Sequence, residues 1–140
     1  MLFIGSDHGA YKLKQILINE LKVNSFEFED CGCFSKDSVD YPEIAQATCK
    51  KILATPNSLG VLLCGTGIGI SIAANKIKGI RAALCHNEYT AQMAREHNNA
   101  NVLCLGGRVT GDEVAKGILH SFLQTNFAGE RHQRRVGMIE

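Results

Sequence analysis

Apolar runs of strand length alternate with helix-period segments along most of this chain. Leu2-Phe3-Ile4-Gly5 is a short apolar run followed by the polar Ser6-Asp7-His8-Gly9. From Ala10 to Val23, Leu13, Ile16, Leu17 and Leu21 recur at helical spacing with lysines between them, which predicts an amphipathic helix. Phe26 to Asp30 alternates and predicts a second strand, near a sheet edge. Cys31 to Asp40 reads as a loop. A helix then starts at Tyr41-Pro42-Glu43, where an early proline loses no helix bond, and runs to about Leu53. Thr55-Pro56-Asn57-Ser58 breaks it. Leu59 to Cys64 is a continuous apolar run, as a fully buried strand requires. Ile80 to Cys85 predicts a fourth strand, Tyr89 to about Glu96 a helix, His97 to Asn101 a polar break, and Val102 to Leu105 a fifth strand. Thr110-Gly111-Asp112-Glu113 reads as the capped start of a helix through Leu123, and Gly129 to Glu140 as a short basic helix.

This alternation predicts an α/β protein: a three-layer αβα arrangement around a five-stranded parallel sheet, in Rossmann-like or flavodoxin-like order. Residues 1–140 are expected to form one domain. Ligands of such sheets bind beyond the carboxyl ends of the strands. Asp7 and His8 follow strand one, Cys64 to Gly69 strand three, His86 strand four and Arg108 strand five. His97 and Asn98 come just before strand five, and the expectation is that all of these converge on one site.

The segment after strand three carries the most chemistry. Gly65, Gly67 and Gly69 stand at alternate positions, with Thr66 and Ile68 between them, before an apolar stretch of small residues. Such glycines permit positive φ and close approach of a ligand to backbone amides. A helix starting there aims free N–H groups at the turn, which makes an anion site. The pattern is not a dinucleotide fingerprint, because Ile70 occupies the place of the third required glycine, and no Gly-Lys-Ser/Thr follows as a phosphate loop would need. A cysteine at such a helix start has an enhanced share of thiolate and can serve as a base, although the same residue also suits a core position. Asp7-His8 fits either a helix cap or contacts to sugar hydroxyls and phosphate. His97 fits a helix end or a catalytic acid–base. Arg131 and Arg135 share one face if the tail is helical, as a solvated surface or as a bidentate phosphate clamp.

Composition removes some classes. The formal net charge of +1 gives no global case for nucleic acid or an anionic membrane, and no apolar run is long enough to span a bilayer. Met1-Leu2-Phe3-Ile4 lacks a basic leader, so the expectation is a cytoplasmic protein whose six cysteines are reduced. Cys31-Gly32-Cys33 is C-x-C and no C-x-x-C exists, so neither a metal site nor a dithiol redox centre is predicted.

These residues together resemble the family of ribose-5-phosphate isomerase B and the galactose-6-phosphate isomerase subunits. The carriers are Gly5-Ser6-Asp7-His8-Gly9-Ala10, Asp40-Tyr41-Pro42, the whole stretch from Cys64 to Lys76, Gly79-Ile80-Arg81-Ala82, His97-Asn98, Asn101-Val102-Leu103, Gly106-Gly107-Arg108 and Arg131-His132-Gln133-Arg134-Arg135. The resemblance implies a homodimer, sometimes paired into a tetramer, with each active site built from both subunits and the 129–140 tail reaching the partner. It implies interconversion of ribose 5-phosphate and ribulose 5-phosphate, a small sugar phosphate, without metal or organic cofactor. By resemblance Cys64 is the base, Gly65, Gly67, Ile68 and Gly69 supply amides, Thr66 sits by the reacting oxygens, and His97 opens the sugar ring beside Asn98. Asp7 and His8 contact the sugar and its phosphate end. Arg131 and Arg135 bind phosphate, with Arg108 a further member. The rival readings are a hexose-6-phosphate isomerase, a non-catalytic sugar-phosphate sensor and a thiol redox protein.

Overall fold

The fold, a computed structural model describing residues 1–140, is one parallel sheet between two helical layers. The strands are β1 (Leu2–Ser6), β2 (Phe28–Asp30), β3 (Leu59–Cys64), β4 (Ala82–Leu84) and β5 (Val102–Gly106). The helices are α1 (Tyr11–Val23), α2 (Tyr41–Ala54), α3 (Ile68–Asn75), α4 (Glu88–Asn98), α5 (Asp112–Gln124) and α6 (Arg131–Ile139). The spatial order is β2-β1-β3-β5-β4, with every pairing parallel. The predicted class is therefore found, and β2 is an edge strand as its alternation implied. The order departs from the flavodoxin pattern at one place, since β5 inserts between β3 and β4.

Because successive side chains of a strand point to opposite faces, each central strand feeds two cores. Leu2, Ile4, Val61, Leu63, Leu103 and Leu105 face one side and meet α1, α4 and α5 through Leu17, Ala91, Ile118 and Phe122. Phe3, Leu62, Cys64, Val102 and Cys104 face the other and meet α2 and α3 through Cys49, Ile52, Ile70 and Ala74. The central strands β1, β3 and β5 are thus apolar on both faces, which is why they read as unbroken runs.

The edges and termini differ from the sequence expectation for local reasons. β2 and β4 are three residues each, shorter than the runs that announced them. Phe26 is held instead by its N–H to the Leu21 carbonyl at the end of α1. His8–Ala10 forms a 3-10 turn before α1. Thr110 does not cap α5; Gly111 is the flanking residue, without a side-chain cap bond, and Thr110 is buried with its N–H on the Gly106 carbonyl. His97 and Asn98 do not form a break. They complete α4, and Asn99 in the left-handed conformation (φ 46°) ends it, with the Ala100 N–H reaching back to the Ala94 carbonyl.

One buried charge ties the loop after β2 to β1. Lys14 on α1 is fully buried, and its Nζ donates to Asp30 Oδ1 (2.6 Å) and to the Cys33 carbonyl. Asp30 also accepts the Gly32 N–H at 3.0 Å. Ser6 N–H donates to the Gly32 carbonyl, and Cys33 N–H to the Ser6 carbonyl. The pair therefore fixes the carboxyl end of β1, where Asp7 and His8 begin. Removing one partner of such a pair typically costs about 3–5 kcal/mol, because the other charge stays buried alone. No helix is long and apolar enough to cross a membrane.

Candidate active site

Three chain segments meet beyond the carboxyl ends of β1, β3 and β5. After β1, Asp7 is 8% exposed and its Oδ1 accepts the Gly9 N–H at 2.9 Å, so it caps the turn. His8 Nδ1 accepts the Val39 N–H at 3.2 Å, which leaves the proton of the neutral ring on Nε2 as an outward donor. After β3, Cys64 is 5% exposed and its Sγ accepts the Gly67 N–H at 3.1 Å. The other thiol contacts have the opposite polarity: Cys31, Cys33 and Cys85 donate S–H to carbonyls. Burial pushes the Cys49 thiol up to about 12, and raises Cys104, Cys85 and Cys31 as well. All six cysteines are free. Cys64 alone among them has a backbone donor aimed at sulfur, an arrangement that accommodates negative charge there.

The glycines of this turn have separate reasons. Gly67 is left-handed (φ 80°), and a Cβ there would lie 2.8 Å from the Leu105 backbone. A Cβ at Gly65 would fall 2.9 Å from Arg108 Nη1, and one at Gly9 3.3 Å from Arg108 Nη2. Arg108 thus spans the turns after β1 and β3. It has no carboxylate partner within the chain. Backbone bonds lock the turns in place, from Gly107 N–H to the Cys64 carbonyl and from Arg108 N–H to the Gly65 carbonyl, both 2.9 Å. Thr66 Oγ1 accepts the Ile68 N–H at 3.2 Å, and the next amides of α3 have no partner within the helix. Tyr41 closes one side: a Cβ on Gly69 would lie 2.7 Å from its ring. In the sequence Tyr41 signals only a helix start, and the Asp40-Tyr41-Pro42 stretch is the one feature that points to a further role.

The remaining predicted residues are elsewhere. His86 is exposed just past β4. α4 leaves the carboxyl end of β4 and runs back across the sheet, so His97 and Asn98 lie at its amino end. There the Asn101 carbonyl accepts the Gly60 N–H, and Arg81 Nε donates to the Asn98 and Asn99 carbonyls. Strands of this length put roughly 17–20 Å between the two ends. α6 packs on α4 at the same end, placing Arg131 and Arg135 there and stacking His132 on His97. The expected convergence of every polar segment within one chain is therefore corrected. Asp7, His8, Cys64–Gly69 and Arg108 meet, while His97, Asn98, Arg131 and Arg135 form a second group at the far end. A cavity of about 560 Å³ also opens at that far end, lined by Lys76, Arg81, Asn98 and Glu140 among others, and does not touch Cys64.

Comparison with known proteins places the chain in a family. The ribose/galactose isomerase family profile covers residues 2–139. The chain is 42% identical to the ribose-5-P isomerase B of Listeria innocua over 98% of this chain and 93% of that one. It is 43% identical to the ribose-5-phosphate isomerase B of Escherichia coli over 96% and 91%. Its fold superposes on the crystal structure of a ribose 5-phosphate isomerase from Thermotoga maritima with a TM-score of 0.96, at 49% identity and covering 99% and 95% of the two chains. Family profile, relatives and fold agree across nearly the whole length, and the chain belongs to the ribose/galactose isomerase family.

Proposed function

We propose that this chain is an aldose–ketose isomerase that interconverts ribose 5-phosphate and ribulose 5-phosphate through an enediolate. The observation that carries the reading is the Cys64 sulfur held by the Gly67 N–H at the start of α3, beside the unpaired Arg108. The thiolate takes the proton from the carbon next to the carbonyl. The enediolate oxygens then face the amides that begin α3 and the Thr66 hydroxyl, donors already in place before charge develops. Cys64 returns the proton to the neighbouring carbon, and the hydroxyl proton on O2 passes to O1 by way of the Thr66 hydroxyl, which leaves the carbonyl at C2 and an alcohol at C1. The substrate enters as a closed ring, so one C–O bond must break first. His97 gives a proton to the ring oxygen and takes one from the C1 hydroxyl, ending as it began. Asp7 and His8 hold the sugar and its phosphate end; Arg108, Arg131 and Arg135 bind the phosphate.

That assignment needs two copies of the chain, because Cys64 and His97 stand at opposite ends of one sheet. A homodimer supplies the far-end group of one protomer to the Cys64 end of the other. Ile68 and Ile72, one turn apart on α3, support this reading: they are 53% and 56% exposed beside the Cys64 turn, an apolar face for a second copy to cover. The chain then works as one domain whose α6 reaches its partner, in the cytoplasm and without a cofactor.

The direct test is ketose formation from ribose 5-phosphate by purified protein, with and without chelator, beside a six-carbon aldose phosphate. Chelator-resistant turnover of the pentose is expected. Turnover of only the hexose keeps the mechanism and changes the substrate; turnover of neither favours a sugar-phosphate sensor. Replacing Arg135 with alanine is expected to raise KM for ribose 5-phosphate roughly tenfold or more, with unfolding temperature unchanged, since a charge-assisted bidentate contact is lost from an exposed side chain. An unchanged KM removes Arg135 from the clamp.

A further inference from the structure

His97 and His132 stack across the α4–α6 contact, with ring centroids 4.3 Å apart and planes 11° from parallel. The contact is anchored rather than incidental. Val136, one turn beyond His132 on α6, is 5% exposed, so the same helix face that carries His132 is seated in the protein. Arg131 and Arg135 flank His132 on α6, and Glu96 adjoins His97 on α4.

A ring packed flat on another loses rotation about its side-chain bonds, so the plane of His97 is set by α6. Were both rings charged, two imidazolium groups would be in contact beside two guanidinium groups, with Glu96 of opposite sign nearby. In keeping with this, burial first, then His97, Arg131 and Arg135, hold the His132 imidazole below its ordinary range.

We propose that His132 is a positioning residue for His97: its ring fixes the plane of the His97 imidazole, so the ring-opening group meets the sugar in one orientation. This goes beyond the phosphate clamp, to which only the neighbouring arginines are assigned. It rests on the ring-opening role given to His97 above.

The test compares His132→Ala with His132→Phe, which keeps an aromatic face but carries no proton. His132→Ala is expected to lower kcat roughly tenfold to a hundredfold, the usual penalty for a displaced catalytic group, with KM changed less than about twofold. His132→Phe is expected to recover most of that kcat. The His97 ring-proton chemical shifts, followed by NMR in the intact protein, are expected to move in His132→Ala, which removes the stacked ring, and less in His132→Phe. A rise in KM at constant kcat would assign His132 to phosphate binding and overturn the proposal, as would His97 ring-proton shifts unchanged in His132→Ala. Loss of turnover in His97→Ala with full kcat in His132→Ala overturns this proposal alone. Full turnover in His97→Ala overturns the ring-opening reading beneath it.

Discussion

Replacing Cys64 with alanine is expected to lower kcat for ribose 5-phosphate by roughly 10³-fold, within the range that a positioned general base contributes. The fold should survive. Cys64 is 5% exposed at the end of β3, and the substitution removes one sulfur atom, the acceptor of the Gly67 N–H, while the backbone bonds from Gly107 and Arg108 that lock the turn remain. The resulting loss of packing is about 1 kcal/mol. Cys64→Ser sharpens the test. A serine oxygen can still accept the Gly67 N–H, yet a hydroxyl gives almost no anion near neutral pH, so turnover should fall nearly as far. Steady-state kinetics with circular dichroism and thermal unfolding separate loss of the base from loss of structure. Wild-type turnover in either variant would remove Cys64 from the proton transfer.

The second large effect comes from mixing two inactive proteins. Cys64→Ala and His97→Ala each disable both sites of a homodimer. In a mixed dimer, one site receives both damaged residues and the other receives the intact Cys64 of one chain and the intact His97 of its partner. Random reassociation of equal amounts should therefore restore about a quarter of wild-type turnover, since half of the dimers are mixed and each has one working site. The physical basis is the length of the sheet: no rotamer of His97 reaches Cys64 across roughly 17–20 Å of strand. Exchange of chains is verified by differently tagged protomers. Confirmed exchange without recovered activity would show that the site does not combine these two residues across an interface.

Most of the Cys64 end is legible in the amino-acid order. A continuous apolar run, three alternate glycines and a small-residue helix identify a strand, a tight turn and an exposed helix start without reference to anything distant. Legibility ends where position depends on packing. His97 and Asn98 read as part of a break leading into strand five because asparagines dominate that stretch, but the chain leaves the helical conformation only from Asn99 onward. α4 has 11 residues and so rises about 16 Å, enough to carry its last turn to the opposite end of the sheet. Arg108 reads as a minor member of the phosphate set, and only the contacts over Gly9 and Gly65 place it at the centre.

Local periodicity and local turn chemistry, which operate within a few residues, are enough to specify the class of the fold, the identity of the central strands, the glycine turn with its cysteine, and the one-turn spacing of Arg131 and Arg135. Folding in three dimensions settles the rest: β5 enters between β3 and β4, Lys14 is buried against Asp30, His132 stacks on His97, and the site residues separate into two groups. Those outcomes depend on which faces pack together across long sequence separations, and on where a helix of given length must end.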